Sequence, residues 1–325
     1  MPKTDKLADA LERLGRLRVD PTSTKSLAEL RAALADRSPH VAAKAAQIAG
    51  EHEITAVTRE LAAAFERFLL NPVKSDPGCV AKAAIVDALQ RMGAPEPSVF
   101  LRGIRHVQLE PVWGGKADTA VALRGASGFG LVAMGYRDAL TPLAELLADP
   151  EARARAAAAR AVAFSENPAG VPLLRLKALV GDADLEVVSE CFSGLLRLEP
   201  GESAEFLARF LEADDEQTRE AAALALGGSR RAEALPVLRR WFESSRDDAS
   251  RRTALLAVAM LKLDDALAFL LGLVAEAPGP TARLALASLA LHRYDEALVR
   301  RVRAAAARDD VDLDDTVAEE FPPAS

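Results

Sequence analysis

Four stretches of this 325-residue chain open in the same way at a near-constant interval. DPEARARAAAARAVAF starts at 149, DADLEVVSECFSGLLRL at 182, DDEQTREAAALALGG at 214 and DDASRRTALLAVAML at 247, spacings of 33, 32 and 33 residues. Each begins with Asp, passes through a few polar residues and enters an apolar face rich in small side chains. Ahead of each lies a second amphipathic segment, as in ALTPLAELLAD, GVPLLRLKALVGD and EALPVLRRWFESS. A pair of helical segments cannot bury its apolar face alone, so units repeating every thirty-odd residues must stack on one another. The pattern predicts an α-solenoid.

Composition agrees. Isoleucine occurs only at Ile48, Ile54, Ile85 and Ile104, while Ala, Leu and Arg, the best helix formers, dominate. EARARAAAARAVA (151–163) holds eight alanines in thirteen residues. No stretch of clean period-2 alternation stands out, so the fold class is all-α. Each Asp opening a second segment is a natural N-cap, worth about 1 kcal/mol through otherwise unpaired N–H groups.

The repeating unit resembles the short, phycobilisome-lyase type of HEAT repeat. TREAAALALGG (218–228) matches best, with the family's basic residue at Arg219 and Leu226-Gly227 near its end. ARAAAARAVA (154–163) and RRTALLAVAM (251–260) repeat it with Arg155 and Arg252; weaker copies carry Lys82, Arg124 and Arg283 in that slot, and one departs from it with Val188. The resemblance implies a right-handed α-solenoid of about eight helix pairs. The expected organisation is a single array over 1–308, with a cap helix in 1–24, repeats over 25–294 and a second cap helix over 295–308. Residues 309–325 hold seven acids and no base and are expected to form a disordered tail; without them 41 acids face 41 bases. A neutral body does not suit a nucleic-acid surface.

The early units break the rhythm. Asp36, Asp76 and Asp118 open their second helices at spacings of 40 and 42. The extra residues fall in the turns 71–78 and 105–118. Turns at equivalent places in adjacent repeats share one rim, so these two loops are expected to be neighbours, and long loops in regular arrays commonly carry function. The second loop concentrates His106, Gln108, Glu110, Trp113, Lys116 and Asp118. Trp113 reads either as an exposed anchor for a partner or as a lid folded back on the core. Gly114-Gly115 permits a turn with positive φ.

GASGFG (125–130) places three glycines inside a helix, which points either to close packing against the next helix or to backbone exposed to a ligand, the former being preferred. The basic slot has two readings as well: a groove for an acidic partner, or bases paired with acids of neighbouring turns such as Asp149, Asp214 and Asp247. Asp87 and Arg160, five positions further on, are expected to project near the long loops. Cys79 is either an activated thiol at a helix start near Lys74 and Lys82, or a buried and inert one.

Catalytic and metal patterns are poor. His40, His52, His106 and His292 offer no pair at ligand spacing on one helix, and Cys79 and Cys191 lie 112 residues apart. Neither Gly-rich stretch is a nucleotide-binding fingerprint. Glu-His-Glu at 51–53 is similar to one His-Glu pair of the HEAT-type deoxyhypusine hydroxylases, whose di-iron site takes four. With two cysteines, no apolar run long enough to span a membrane and no secretory core in MPKTDKLADALERLGRL, the chain is expected to be cytoplasmic, without membrane contact and without a cofactor or metal. The leading expectation is a non-enzymatic scaffold that binds a protein or peptide through Lys82, Asp87, His106, Gln108, Glu110, Trp113, Lys116, Asp118, Arg124 and Arg160. A lyase-like tetrapyrrole or small-molecule pocket, which the resemblance implies, would draw on Glu110, His106, Asp87 and Cys79. A HEAT-type alkylbase DNA glycosylase would need Trp113, Trp241 and Asp118.

Overall fold

The computed structural model describes residues 3–322. The described residues fall into two compact units that meet at Ser165 and Glu166. Each unit is a stack of helix pairs, an α-solenoid arrangement. In the first unit the pairs are Thr24–Leu34 with Pro39–Glu51, Thr58–Phe68 with Val80–Arg91, Pro97–Gly103 with Val121–Ala133, and Leu140–Leu146 with Ala152–Phe164. In the second they are Val171–Val180 with Leu185–Leu198, Pro200–Ala208 with Glu216–Gly228, Ala234–Ser244 with Asp248–Met260, and Asp264–Glu276 with Gly279–Leu289. Within each unit the second helices pack on one another in series. The N-terminal helix Lys3–Arg16 packs on Pro39–Glu51, burying Leu14 and, just beyond it, Leu17. Among the described residues no helix is long and apolar enough to cross a membrane.

Of the four second helices that set the period, aspartates cap three, Leu185–Leu198, Glu216–Gly228 and Asp248–Met260, whereas Ala152–Phe164 starts at Glu151 with no side-chain cap and Asp149 accepts from the Glu151 N–H ahead of it. Asp247 accepts from the Ser250 N–H at 2.8 Å as expected. Elsewhere the caps are Asp184 and Asp215 rather than Asp182 and Asp214. Asp182 instead accepts from the Asp184 N–H and pairs with Lys177 at 2.7 Å.

The glycine-rich helix Val121–Ala133 is explained by close packing. A Cβ at Gly125 would lie 2.8 Å from the Ala157 methyl, one at Gly128 2.9 Å from Leu143 Cδ2, and one at Gly130 inside the ring of Phe100. The backbone cost of three glycines is offset by helices that approach this closely.

Two expectations need correction. Residues 108–118 are not an irregular loop but an antiparallel hairpin, β1 (Leu109–Val112) and β2 (Gly115–Asp118), joined by Trp113-Gly114. Nor is the acidic C-terminal stretch disordered where it is described. Asp314–Glu320 is a helix packed on Gly279–Leu289 and on Glu296–Ala306. Leu313 and Phe321 are buried and Val317 is half-buried, so an apolar stripe at i, i+4 and i+8 runs under the acids. With Glu296–Ala306 this helix forms a shortened ninth pair that closes the second unit. Residues 323–325 lie outside the described residues.

Candidate functional site

Asp76 organises the two long turns. The chain leaves Thr58–Phe68, takes positive φ at Asn71, and turns again through Gly78 and Cys79, at φ 71° and 56°, before Val80–Arg91 begins. The N–H groups of that helix therefore point back at Asp76. Its Oδ1 accepts from the Ala81 N–H at 2.8 Å, and its Oδ2 accepts from the Lys82 N–H at 3.0 Å and from Lys82 Nζ at 2.9 Å. Both side chains are wholly buried. Two backbone donors and an ammonium meet the carboxylate, which is what makes a buried charge tolerable.

The hairpin is tied to this turn through Gln108. Its Nε2 donates to the Asp76 carbonyl at 2.9 Å and to Glu110 Oε1 at 2.5 Å, which fixes the orientation of the amide. Its Oε1 then accepts from Cys79 Sγ at 3.2 Å and meets His106 Nε2 at 3.1 Å. Since Oε1 can only accept, the neutral imidazole carries its proton on Nε2. Glu110 Oε1 also accepts from the Gly78 N–H at 2.7 Å and from the Thr119 hydroxyl at 2.8 Å. Turns 71–78 and 105–118 are thus hydrogen-bonded neighbours.

At the hairpin's far foot, Asp118 Oδ1 accepts from the Gln108 and Ala120 N–H groups, and Oδ2 from Arg124 at 2.6 Å. Arg124 also donates both Nε and Nη2 to Asp149, at 2.7 and 2.9 Å, and Nη1 to the His106 carbonyl at 3.0 Å. A buried guanidinium with this fork geometry joins two successive repeats to the hairpin base.

The electrostatics follow from these contacts. The Gly78 N–H, foremost, holds the Glu110 carboxyl below its ordinary value. Burial pushes Asp118 up, but the Ala120 and Gln108 N–H groups and Arg124 together hold it below the usual range. Burial lowers His106, and Lys82 and Arg124 reinforce the effect. Burial raises the Cys79 thiol to about 11, so of its two readings the inert thiol is the one the structure supports.

The site residues expected from sequence divide into two groups. Lys82, Gln108 and Arg124 are buried and engaged by their neighbours, so they frame the rim and present no contact surface, a correction to their expected role. Asp118 is nearly buried at the hairpin base, and His106 and Glu110 are half-buried. Trp113, Lys116 and Asp87 are exposed, Asp87 beside Arg91 at 2.8 Å, and Arg160 is half-buried on the helix Ala152–Phe164. Trp113 does not fold back: it stands at the hairpin tip with 103% relative exposure. Gly114 beside it has φ 89°, the positive-φ turn the Gly-Gly pair permits. Val107, Leu109 and Val112 are also exposed, an apolar set that sequence reasoning missed along with Gly78 and Thr119. Of the groups expected to line a small-molecule pocket, Glu110, His106 and Cys79 all turn onto Gln108, and Asp87 stands exposed beside Arg91. Trp241, expected of a base-binding pocket, is buried in the second unit.

Lower in the chain, the basic slot pairs with its own turn. Arg155 donates to the carbonyls of Asp149 and Pro150, and Arg219 to those of Ala213 and Asp214. The slot in the next repeat is filled by Arg251, stacked 4.5 Å over Phe242, while Arg252 is exposed.

The HEAT-repeat family model matches residues 203–290. Residues 203–290 are HEAT repeats. The HEAT segment runs over the helix pairs from Pro200–Ala208 to Gly279–Leu289 and includes Arg219. No curated protein matches the chain. Among solved structures, the complex of CpcE and CpcF of phycocyanin lyase from Nostoc sp. is similar at 18% identity, covering 86% of this chain and 93% of that one, with a TM-score of 0.35. An engineered protein matches at 15% identity over 97% and 92%, with a TM-score of 0.42. Human deoxyhypusine hydroxylase in complex with glycerol matches at 15% over 90% and 99%, with a TM-score of 0.31. At TM-scores below 0.5 these likenesses say nothing of what this chain does.

Proposed function

We propose that this chain is a non-enzymatic, cytoplasmic scaffold that holds a partner protein on the hairpin rim of its second and third helix pairs. The observation that carries the reading is Trp113, fully exposed at the tip of a hairpin whose base is fixed by buried hydrogen bonds. Exposing an indole costs apolar burial, whereas an aromatic on a rigid element loses little entropy when a partner covers it. Leu109 and Val112 add exposed apolar side chains on the two faces of the same hairpin, with Val107 before it, and Lys116 supplies a polar edge. Nucleic acid is a poorer fit, because Lys82 and Arg124 are buried against carboxylates rather than offered to phosphates. Free buried cysteines at 79 and 191 suit a reducing compartment.

The experiment is affinity capture from native extract with wild type beside Trp113→Ala. A partner retained by wild type and lost by the variant, at equal helicity, is the expected result. Equal capture by both removes the hairpin tip from the site.

A further inference from the structure

The hairpin has two unequal edges, and the inequality selects a mode of binding. Val112 faces Gly115 across a two-residue turn, so the pairs that exchange main-chain bonds alternate from there: Val112 with Gly115 and Glu110 with Ala117. The Thr119 N–H donating to the Gln108 carbonyl at 3.0 Å fixes that phase. The intervening residues Leu109, Pro111, Lys116 and Asp118 then point their main-chain groups away from the hairpin. On β1, Pro111 has no N–H, so that edge offers a single donor, at Leu109. On β2, Lys116 and Asp118 each offer a donor and an acceptor. Among the described residues no main-chain partner from outside the hairpin takes them. Gly115, Lys116 and Ala117 are exposed, and the two-residue turn that leads into this edge carries the fully exposed Trp113.

The geometry points to strand addition: an extended segment of the partner protein pairs with the open edge of β2 and packs one side chain against Trp113. This rests on the reading of the hairpin as the partner-binding element and names the conformation of what it binds. The alternation of β2 sets the pattern required of that segment. Every second residue exchanges main-chain bonds with Lys116 and Asp118, and the residue opposite Lys116 is favoured as an acid. Pro111 keeps the same segment off β1, so one face and one direction of the rim are used.

The test uses the full chain and a phage-displayed library of random dodecapeptides as the probe. Peptides enriched on wild type are resynthesised and measured against Lys116→Ala, Lys116→Pro, Pro111→Ala and Trp113→Ala. Strand addition predicts affinity within about fivefold of wild type for Lys116→Ala and Pro111→Ala, and a loss of more than about tenfold for Lys116→Pro, whose outward N–H is gone. Should Lys116→Pro disturb the hairpin itself, a scan of backbone N-methylation along the peptide answers independently. Sensitivity at every second position is expected, and uniform or absent sensitivity overturns strand addition. Loss on Trp113→Ala alone, with Lys116→Pro still binding, leaves the hairpin as the binding element and rejects the strand. Failure of any peptide to enrich, or equal binding by all variants, rejects both.

Discussion

Lys82 Nζ lies 2.9 Å from Asp76 Oδ2, and neither side chain reaches solvent. The same carboxylate caps the helix that carries Lys82, through the Ala81 and Lys82 N–H groups. One residue thereby neutralises a buried cation, starts a helix and, through its carbonyl, anchors Gln108 of the next repeat.

Removing the cation alone leaves that carboxylate buried with backbone donors only. Lys82→Met is expected to destabilise the protein by about 3 kcal/mol. Urea unfolding monitored by circular dichroism measures it, and a loss below about 1 kcal/mol would show that the ion pair adds little beyond the cap.

Thiol chemistry reports on the hairpin foot. Burial raises Cys79 to about 11 and Cys191 to about 12, so both are expected to be silent to a disulfide reagent in the folded protein at about pH 7.5. Gln108→Ala removes the acceptor of the Cys79 thiol and the tie to Asp76, so Cys79 should react at least about tenfold faster while Cys191 stays silent. Equal rates at both thiols would indicate global unfolding instead.

His106 makes stability depend on pH. Burial holds its pKa below the ordinary 6.5, so the folded state favours the neutral ring. As pH falls through 6.5 the unfolded chain takes the proton first, and stability is lost from there down to the lower folded value. Melting temperatures at about pH 7.5 and about pH 5 should drop less for His106→Gln than for wild type. A parallel drop in both would assign the acid lability to other groups.

Two helical glycines should respond oppositely to alanine. At Gly130 the new methyl meets the Phe100 ring, and a loss of about 1–3 kcal/mol is expected. At Gly272 nothing lies within 4 Å, so Gly272→Ala should gain about 0.5–1 kcal/mol from backbone entropy alone. Thermal unfolding of the two variants beside wild type decides the matter.

Much of the repeat architecture was legible because it is periodic. Ala/Leu faces at a spacing of 32–33 residues leave few alternatives to stacked helix pairs, and the eight pairs fall where the repeats predict. The longer spacings at Asp76 and Asp118 likewise located the two turns that hydrogen-bond to each other. The hairpin escaped notice because its strands are four residues each, one of them containing Pro111, too short for alternation to show. The terminal helix escaped because its charge run masked Leu313, Val317 and Phe321.

The sequence by itself determined which segments become helices and that they must stack, since local propensity and apolar period act within a few turns of chain. It also marked 105–118 as unusual. Only the tertiary structure decided which of those polar residues face water. Lys82, Gln108 and Arg124 look like ordinary surface residues in the sequence, yet they are buried: the turns before their helices bring Asp76 to Lys82 and Asp118 to Arg124, while Gln108 reaches the Asp76 carbonyl and Arg124 reaches Asp149 of the neighbouring repeats. Trp113, which the sequence leaves open between an exposed anchor and a lid on the core, is exposed at the tip of a hairpin held at its base by those same buried contacts. Local turns and contacts between repeats together set the balance of desolvation and pairing, and that balance exists only once the repeats have packed.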